Sequence, residues 1–457
     1  MFLTTKNPVS TYNLIINSCR FNAEKRLGKK LEINVIKYKK LPEIKFLFFI
    51  CSYLFSGKIF SKESRIYLKF ANIEIGRFIT ASVFKDIKSY ESKFHFYINY
   101  IKYLYKAGIM IRSSTYYLKN IKFDCIYIDH CGYLNGIIYT VFVKKKLIYT
   151  NNYPKNIFLT HKSSFDTYEK NLRIRKDKTQ NNKKIINKAI FFLNKLIRKP
   201  ETIPWLVHAV FNDLKKIPNI KEYEYIIYTH AFTDGQLWFG NDGFENSHDW
   251  LDFTLKTLKA LNKKVLIKCH PNYFNKFYGN AAIQDNKIFR NIYSKYKDIK
   301  NFYFIKQPVL NSAIMSQINK NCIAITHHGN VIFELAHSNF KIIASKAKFF
   351  AEDYKITNNW DSPRQYSSLL NKPHYKLKHA NKKDLYNLVD DLFFDLKGFY
   401  SKNTINSLSG KYLDEKSRKA IMTNSLFNNV SEKMFDKHMS NIVKEKICRI
   451  VAKNISC

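Results

Sequence analysis

At 457 residues, with 46% apolar and 16% aromatic side chains, the chain can build two or three buried cores, which excludes global disorder. Its 77 Lys and Arg against 36 Asp and Glu leave a formal charge of +41. The Lys residues are spread along the whole chain with many Asn, Ile, Phe and Tyr, a mixture that matches an A- and T-rich codon bias, so charge alone selects no partner. The eight cysteines, at 19, 51, 125, 131, 269, 322, 448 and 457, include no C-x-x-C pair and read as separate reduced thiols of a cytoplasmic protein.

In chain order, "MFLTTKNPVSTYNLIINSCR" (1–20) has no apolar run after a basic start, which argues against a secretory signal. "FLFFICSYLF" (46–55) is roughly half a membrane span and reads as a core segment. A Tyr- and Phe-rich helical region follows (about 77–108), then the strand of "FDCIYIDHCGYLNG" (123–136) and a second in "KKLIYTNNYP", which ends at Pro154. This alternation predicts a first α/β lobe over 1–205. The charged run "RIRKDKTQNNKK" interrupts it and leads into "IINKAIFFLNKLIRK" (185–199), a helix with an apolar stripe and Lys or Arg opposite. Packing within its own lobe or contact with the inner membrane surface would both suit that stripe.

After Pro204 the alternation becomes regular. "YEYIIYTH" (223–230), "KVLIKCH" (264–270), "NFYFIKQP" (301–308), "CIAITHHGN" (322–330) and "KIIAS" (341–345) read as strands, with helices between them. This predicts a doubly wound lobe over 206–375, followed by a charged helical segment over 376–457.

Three strand ends carry the chemistry. In "THHGNVIFE" (326–334) a strand ends at Thr326-His327-His328-Gly329 and a helix starts at once after Asn330, where backbone N–H groups favour a phosphate. Glu334 is placed to hold a ribose hydroxyl pair, unless it is only a solvated helix residue and Gly329 only a turn. In "KCHPN" (268–272), Lys268 and His270 flank Cys269, so an extended backbone points them to the same side. Pro271 and Asn272 make the following turn. Lys268 would neutralise a departing phosphate and His270 would neutralise it or donate a proton to it; alone, a His after a strand is more often a surface residue. In "THAFTDGQ" (229–236), His230 ends the strand and Asp234 precedes Gly235, whose freedom lets the carboxylate project into a cleft. Asp234 there would act as a general base, or merely cap a turn as Asp-Gly pairs often do. Gln236 falls on the same loop. Asp129 and His130 repeat the strand-end pattern in the first lobe.

The chain contains no G-x-G-x-x-G, G-x-x-x-x-G-K-[ST], H-E-x-x-H or G-x-S-x-G motif and no D-x-D triplet. In an extended strand His327 and His328 face opposite ways and would not chelate one metal. A metal-independent site with no cofactor is expected. A nucleic-acid partner would require basic and aromatic residues gathered on one face. The unusual polar residues gather instead at strand ends, which favours a small-ligand cleft and no nucleic acid.

"HAFTDGQLWFG", "WLDFTLKTLKALNKKVLIKCHPN" and "THHGNVIFELAHSNFKIIAS", in this order and spacing, resemble the GT-B glycosyltransferases of bacterial capsule and surface-polysaccharide synthesis. "DHCGYLNGIIYTVFVKKKLIYTNNYP" is similar to their first lobe, so the resemblance covers about residues 65–375. It implies a GT-B fold, two Rossmann-like α/β lobes facing across a cleft, with acceptor on the first and nucleotide sugar on the second. His270-Pro271 matches the His-Pro motif of bacterial sialyltransferases and Kdo transferases, whose histidine contacts the phosphate of a CMP-sugar. Thr233-Asp234-Gly235 matches the acidic-acidic-Gly motif of the sialyltransferases with one acid missing. The Gln-x-x-x-Asp motif of the capsular Kdo transferases is met by His230 in place of Gln and by Asp234. The resemblance thus implies an inverting, metal-independent transfer of a Kdo- or sialic-acid-like sugar from a CMP-sugar to a glycan or glycolipid acceptor. It would take place in the cytoplasm or at the inner face of the membrane. CDP-glycerol-dependent polyol-phosphate transferases resemble the same architecture and are the alternative.

Overall fold

The computed structural model describes residues 41–120, 125–128, 132–142, 147–150, 157–159, 183–198, 211–215, 217–237, 240–274, 279–347 and 354–390. The described residues fall into two compact units: those within 41–79 and 101–159 form one, and those within 80–100 and 183–390 the other.

In the first unit, α1 (Ile44–Phe55) buries Phe46, Ile50 and Tyr53 at helical spacing. Its opposite face leaves Ile44, Phe48 and Phe55 exposed, so this segment is core on one side only. The short α2 (Lys62–Ile66) is capped by Ser61, whose hydroxyl accepts from the Ser64 N–H. A two-stranded antiparallel ladder follows, β1 (Lys69–Phe70) and β2 (Ile73–Glu74). The helical region expected over about 77–108 is broken into α3 (Gly76–Val83), α4 (Lys88–Glu91) and α5 (Lys93–Asn120), of which residues 80–100, with all of α4, belong to the second unit. Gly108 in α5 lets α1 approach closely, since a Cβ there would lie 2.4 Å from the Phe46 ring. β3 (Cys125–Ile128) leads through α6 (Asn135–Phe142) to β4 (Leu147–Thr150), which pairs parallel with β3 as the βαβ pattern predicts. β5 (Ile157–Leu159) adds an antiparallel edge.

In the second unit, α7 (Lys183–Arg198) buries Ala189, Phe192, Leu193 and Leu196. The parallel sheet begins with β6 (Tyr225–Tyr228) and continues through α8 (Ser247–Ala260), β7 (Val265–Lys268), α9 (Asn280–Tyr296), β8 (Phe302–Ile305), α10 (Asn311–Met315), β9 (Ile323–Thr326), α11 (Val331–His337), β10 (Lys341–Ser345) and β11 (Asn358–Trp360). α12 (Pro363–Leu370) and α13 (Lys382–Val389) close the described chain. All six strands are parallel, in the order β8-β7-β6-β9-β10-β11. Numbered within the sheet this is 3-2-1-4-5-6, the Rossmann order. The α/β class expected from the alternation is the class found. β11, too short and polar to read as a strand, joins by backbone pairing with β10.

Strands β6, β7, β9 and β10 are buried at every position, as a parallel sheet covered on both faces requires. α8 shows why its sequence folds as it does. Asn246 accepts from the Asp249 N–H at 2.8 Å as N-cap, and Trp250, Leu251, Thr254, Leu255 and Leu258 recur at helical spacing on the buried side. The apolar stripe of α7 packs on α11 and α13, which accounts for it within the unit. No described helix is long and apolar enough to cross a membrane.

Candidate functional site

The strand order reverses between β6 and β9. Loops leaving such neighbours diverge and open a crevice at the carboxyl ends, the place where open parallel sheets bind ligands. Tyr228, Lys268 and Thr326 lie level there through the β6–β7 and β6–β9 registers. Just beyond them four imidazoles gather. Ring centroids are 3.9 Å apart for His230 and His328, 5.8 Å for His230 and His270, and 4.8 Å for His327 and His328. The spread of these four along the sequence gives no hint of that proximity; sheet topology creates it.

Each ring has a defined role in hydrogen bonding. His230 Nδ1 lies 3.0 Å from the Ala231 carbonyl oxygen, which only accepts, so Nδ1 carries the hydrogen and Nε2 the lone pair. Burial pushes His230 down to about 4, against the pull of that hydrogen bond and of Asp234. His270 Nδ1 accepts from the Asn272 N–H at 3.2 Å, leaving Nε2–H as a donor. Burial, with the charges of His230 and Lys268 added, pushes His270 well below the ordinary histidine range. At neutral pH it is a hydrogen-bond donor rather than an imidazolium acid.

Lys268 is 2% exposed, and burial lowers its pKa while Cys269 and Glu334 act the other way. Its charge is felt at His270. Glu334 lies not on a solvated face but at 4% exposure, with Asn311 Nδ2 donating to its two oxygens at 3.0 and 3.1 Å. Burial pushes it up to about 7, against Asn311 and Lys268. Thr326 donates to the His328 carbonyl at 3.4 Å. Pro271 opens a short 3-10 turn to Phe274, Asn330 precedes α11 without a side-chain cap, and Gly329 adopts φ +127°, which a side chain would strain.

The loop after β6 carries Asp234, which is exposed. Gly235 at φ +70° makes its turn, and a Cβ there would meet His230 and His328 at 3.4 Å. Gln236 is buried; its amide donates to the Ala231 and Asp234 carbonyls at 2.9 and 2.7 Å and accepts from the Ser247 N–H at 2.6 Å. It holds the loop's shape from inside.

Two carboxylates at this site escaped sequence reading. Asp285 of α9 accepts from the Phe232 N–H, the Thr233 N–H and the Thr233 hydroxyl at 3.0, 2.8 and 2.8 Å. Burial pushes it up to about 7, against those three bonds and with Asp234 adding to the rise. The signal was there: Asp285 sits on the buried phase of α9 with Ala282, Ile288 and Phe289, where a carboxylate must have partners. Asp234 and Asp285 line a cavity of about 190 Å³ together with Lys85, Thr233 and Asn272. Asn272 Oδ1 is buried with no hydrogen-bond partner among the described residues.

The second is Asp242, 2% exposed, whose Oδ2 lies 2.9 Å from His327 Nε2. Asn-Asp-Gly-Phe at 241–244 reads as an ordinary turn, so nothing local marks it. The expectation that His327 and His328 face opposite ways is corrected here. The chain bends directly after β9, and the two Nδ1 atoms come within 2.6 Å. Among the described residues no group of three or more His, Cys, Asp or Glu is placed to hold a metal ion. Asp129 and His130 lie outside the described residues.

No family model matches the chain, and no curated protein matches it. Among solved structures it is similar to the UDP-GlcNAc 2-epimerase of Methanocaldococcus jannaschii, crystallised in complex with UDP-GlcNAc and UDP. Identity is 14%, over 86% of this chain and 98% of the epimerase, with a TM-score of 0.27. At that score the likeness carries no inference, and the fold stands on the strand order above.

Proposed function

We propose that this protein is an inverting, metal-independent glycosyltransferase of the GT-B type. In this reading it binds the phosphate of a CMP-sugar at the carboxyl ends of β6, β7 and β9 and passes a Kdo- or sialic-acid-like sugar to a surface-polysaccharide glycan or glycolipid. The observation that carries the proposal is the convergence of His230, His270 and His328 at the point where a 3-2-1-4-5-6 sheet reverses its order. A neutral imidazole donor, His270 Nε2–H, over one buried lysine suits a phosphate leaving group. His270 Nε2–H donates to a phosphate oxygen, Lys268 supplies positive potential from beneath, and Asp234 takes the proton of the attacking hydroxyl. The cavity that Asp234 lines gives that hydroxyl a place to sit.

A thermal-shift comparison of CMP, UDP, GDP and CDP-glycerol tests this, because a ligand bound only by the folded state raises Tm. CMP is expected to stabilise the protein, and His270→Ala to remove most of the shift. Stabilisation by UDP with none by CMP overturns the donor assignment. Stabilisation by CDP-glycerol alone favours a polyol-phosphate transferase.

A further inference from the structure

We propose that Asp242, His327 and His328 form a proton relay that opens at His328 Nε2, beside the turn carrying Asp234. His328 is the catalytic end, and His327 and Asp242 are positioning residues acting through it. Asp242 is held on three sides. Its Oδ2 takes the His327 Nε2–H at 2.9 Å and the Ser345 hydroxyl, and its Oδ1 takes the Phe244 N–H at 3.2 Å. Burial alone would raise the carboxyl, but His327 and these hydrogen bonds hold it below its ordinary value. It is therefore a carboxylate that can only accept, which places a hydrogen on His327 Nε2. The His327 ring is walled edge-on by Trp250 and Trp360, at 5.3 and 6.0 Å, and these two indoles stack on each other.

With Nε2 committed, His327 meets His328 through Nδ1 alone, and 2.6 Å between the two Nδ1 atoms allows one hydrogen between them. Two proton states follow. When His328 Nδ1–H donates to His327 Nδ1, both rings are neutral and His328 Nε2 carries a lone pair. When the hydrogen sits on His327 Nδ1, that ring is an imidazolium beside the Asp242 carboxylate, and His328 carries its hydrogen at Nε2. Nε2 faces Gly235, 3.4 Å from the place a Cβ would take there. The charge of the second state is thus stored next to a buried carboxylate while a proton is offered at the crevice.

The use of that proton rests on the glycosyl transfer proposed above. As the bond between the anomeric carbon and the phosphate oxygen breaks, the oxygen takes the hydrogen of His328 Nε2. The hydrogen of His327 Nδ1 crosses to His328 Nδ1. Asp234 has meanwhile taken the acceptor's proton, and exchange with water restores both groups. Asp242 faces His327 and His230 packs on His328, while the charge of Asp234 is felt at His230 and those of His230 and Lys268 at His270.

The test is a long-range ¹H–¹⁵N spectrum of the full chain labelled at histidine, titrated with and without CMP. His327 is expected in the Nε2–H tautomer, with the two rings sharing a single protonation step. Asp242→Asn, close in shape but no longer charged, should lower the midpoint of that shared step by roughly 1–3 pH units. His327→Gln should leave His328 titrating alone and serves where Asp242→Asn fails to fold. An Nδ1–H tautomer at His327, two independent titrations in the wild type, or a midpoint indifferent to Asp242→Asn would overturn the relay. A shared step in a protein that no nucleotide stabilises keeps the relay and sinks the transferase reading. Nucleotide binding with independent titrations does the reverse.

Discussion

Asp234 stands exposed in the turn after β6, whereas Asp285 behind it is buried and fully engaged. Of the two, Asp234 is the exposed one, so the proposed general-base role is given to it. Asp234→Asn keeps the shape and removes the basicity. It should lower kcat by roughly 10²–10⁴-fold, while CMP affinity by calorimetry stays near wild type, because Asp234 does not touch the phosphate. If Asp234→Asn retains turnover and Asp129→Asn or His130→Ala abolishes it with CMP still bound, the base belongs to the first lobe. The same residue scale explains why His270 is best described as a donor. Half-buried and neutral, it offers a hydrogen bond that needs no protonation at pH 7.

At the scale of elements, α9 and the loop after β6 act as one piece because Asp285 ties them together. Three donors converge on its Oδ1, two of them backbone N–H groups that have no strand to satisfy them. Asp285→Ala would orphan all three, at about 1–3 kcal/mol for each buried donor that stays dry. The urea midpoint should fall clearly, and turnover should fall with it as the Asp234 turn loosens. Asp285→Asn, whose carbonyl oxygen can accept the same bonds, should keep most of both. A midpoint unchanged by Asp285→Ala would mean that water or another group replaces the carboxylate and that α9 does not brace the loop.

Across the whole molecule, the buried groups of the second unit give opposing pH dependences. His230 titrates at about 4 in the fold against 6.5 as a free group. Between those values the unfolded chain binds the extra proton, so this contribution to stability rises with pH. Asp285 and Glu334 titrate at about 7 against 3.8 and 4.5, so the fold holds protons the unfolded chain has released. Their contribution falls with rising pH over nearly the same window. Glu334→Gln removes one falling term, and the stability gained between pH 4.5 and 6.5 should exceed that of the wild type in paired urea titrations. An equal gain would mean that Glu334 titrates in the fold as it does in the unfolded chain. Transfer activity, once the donor is found, should persist in excess EDTA; loss restored by magnesium or manganese would refute the metal-free mechanism.

The α/β class of the second unit, five of its six strands and the loops that carry chemistry follow from sequence alone, because a buried parallel strand reads as an apolar run and its functional end as an abrupt change to His, Asp, Lys or Gly. "KVLIKCHPN" and "CIAITHHGN" show both features within nine residues each. The order of those strands does not follow, since any helix-linked series alternates in the same way, and the order alone sets His230 against His328 rather than against some other loop. Nor do the partners of a buried charge. Asp285 and Asp242 lie 52 and 85 residues from Thr233 and His327, and both were legible only as residue types. The bend after Thr326 was likewise decided in three dimensions: extended geometry would have parted His327 and His328, and packing between Trp250, Trp360 and Asp242 turned His327 to meet its neighbour. Local pattern reports which face of an element is apolar, while contacts distant in sequence are set by chain topology and by the need to satisfy every buried polar group.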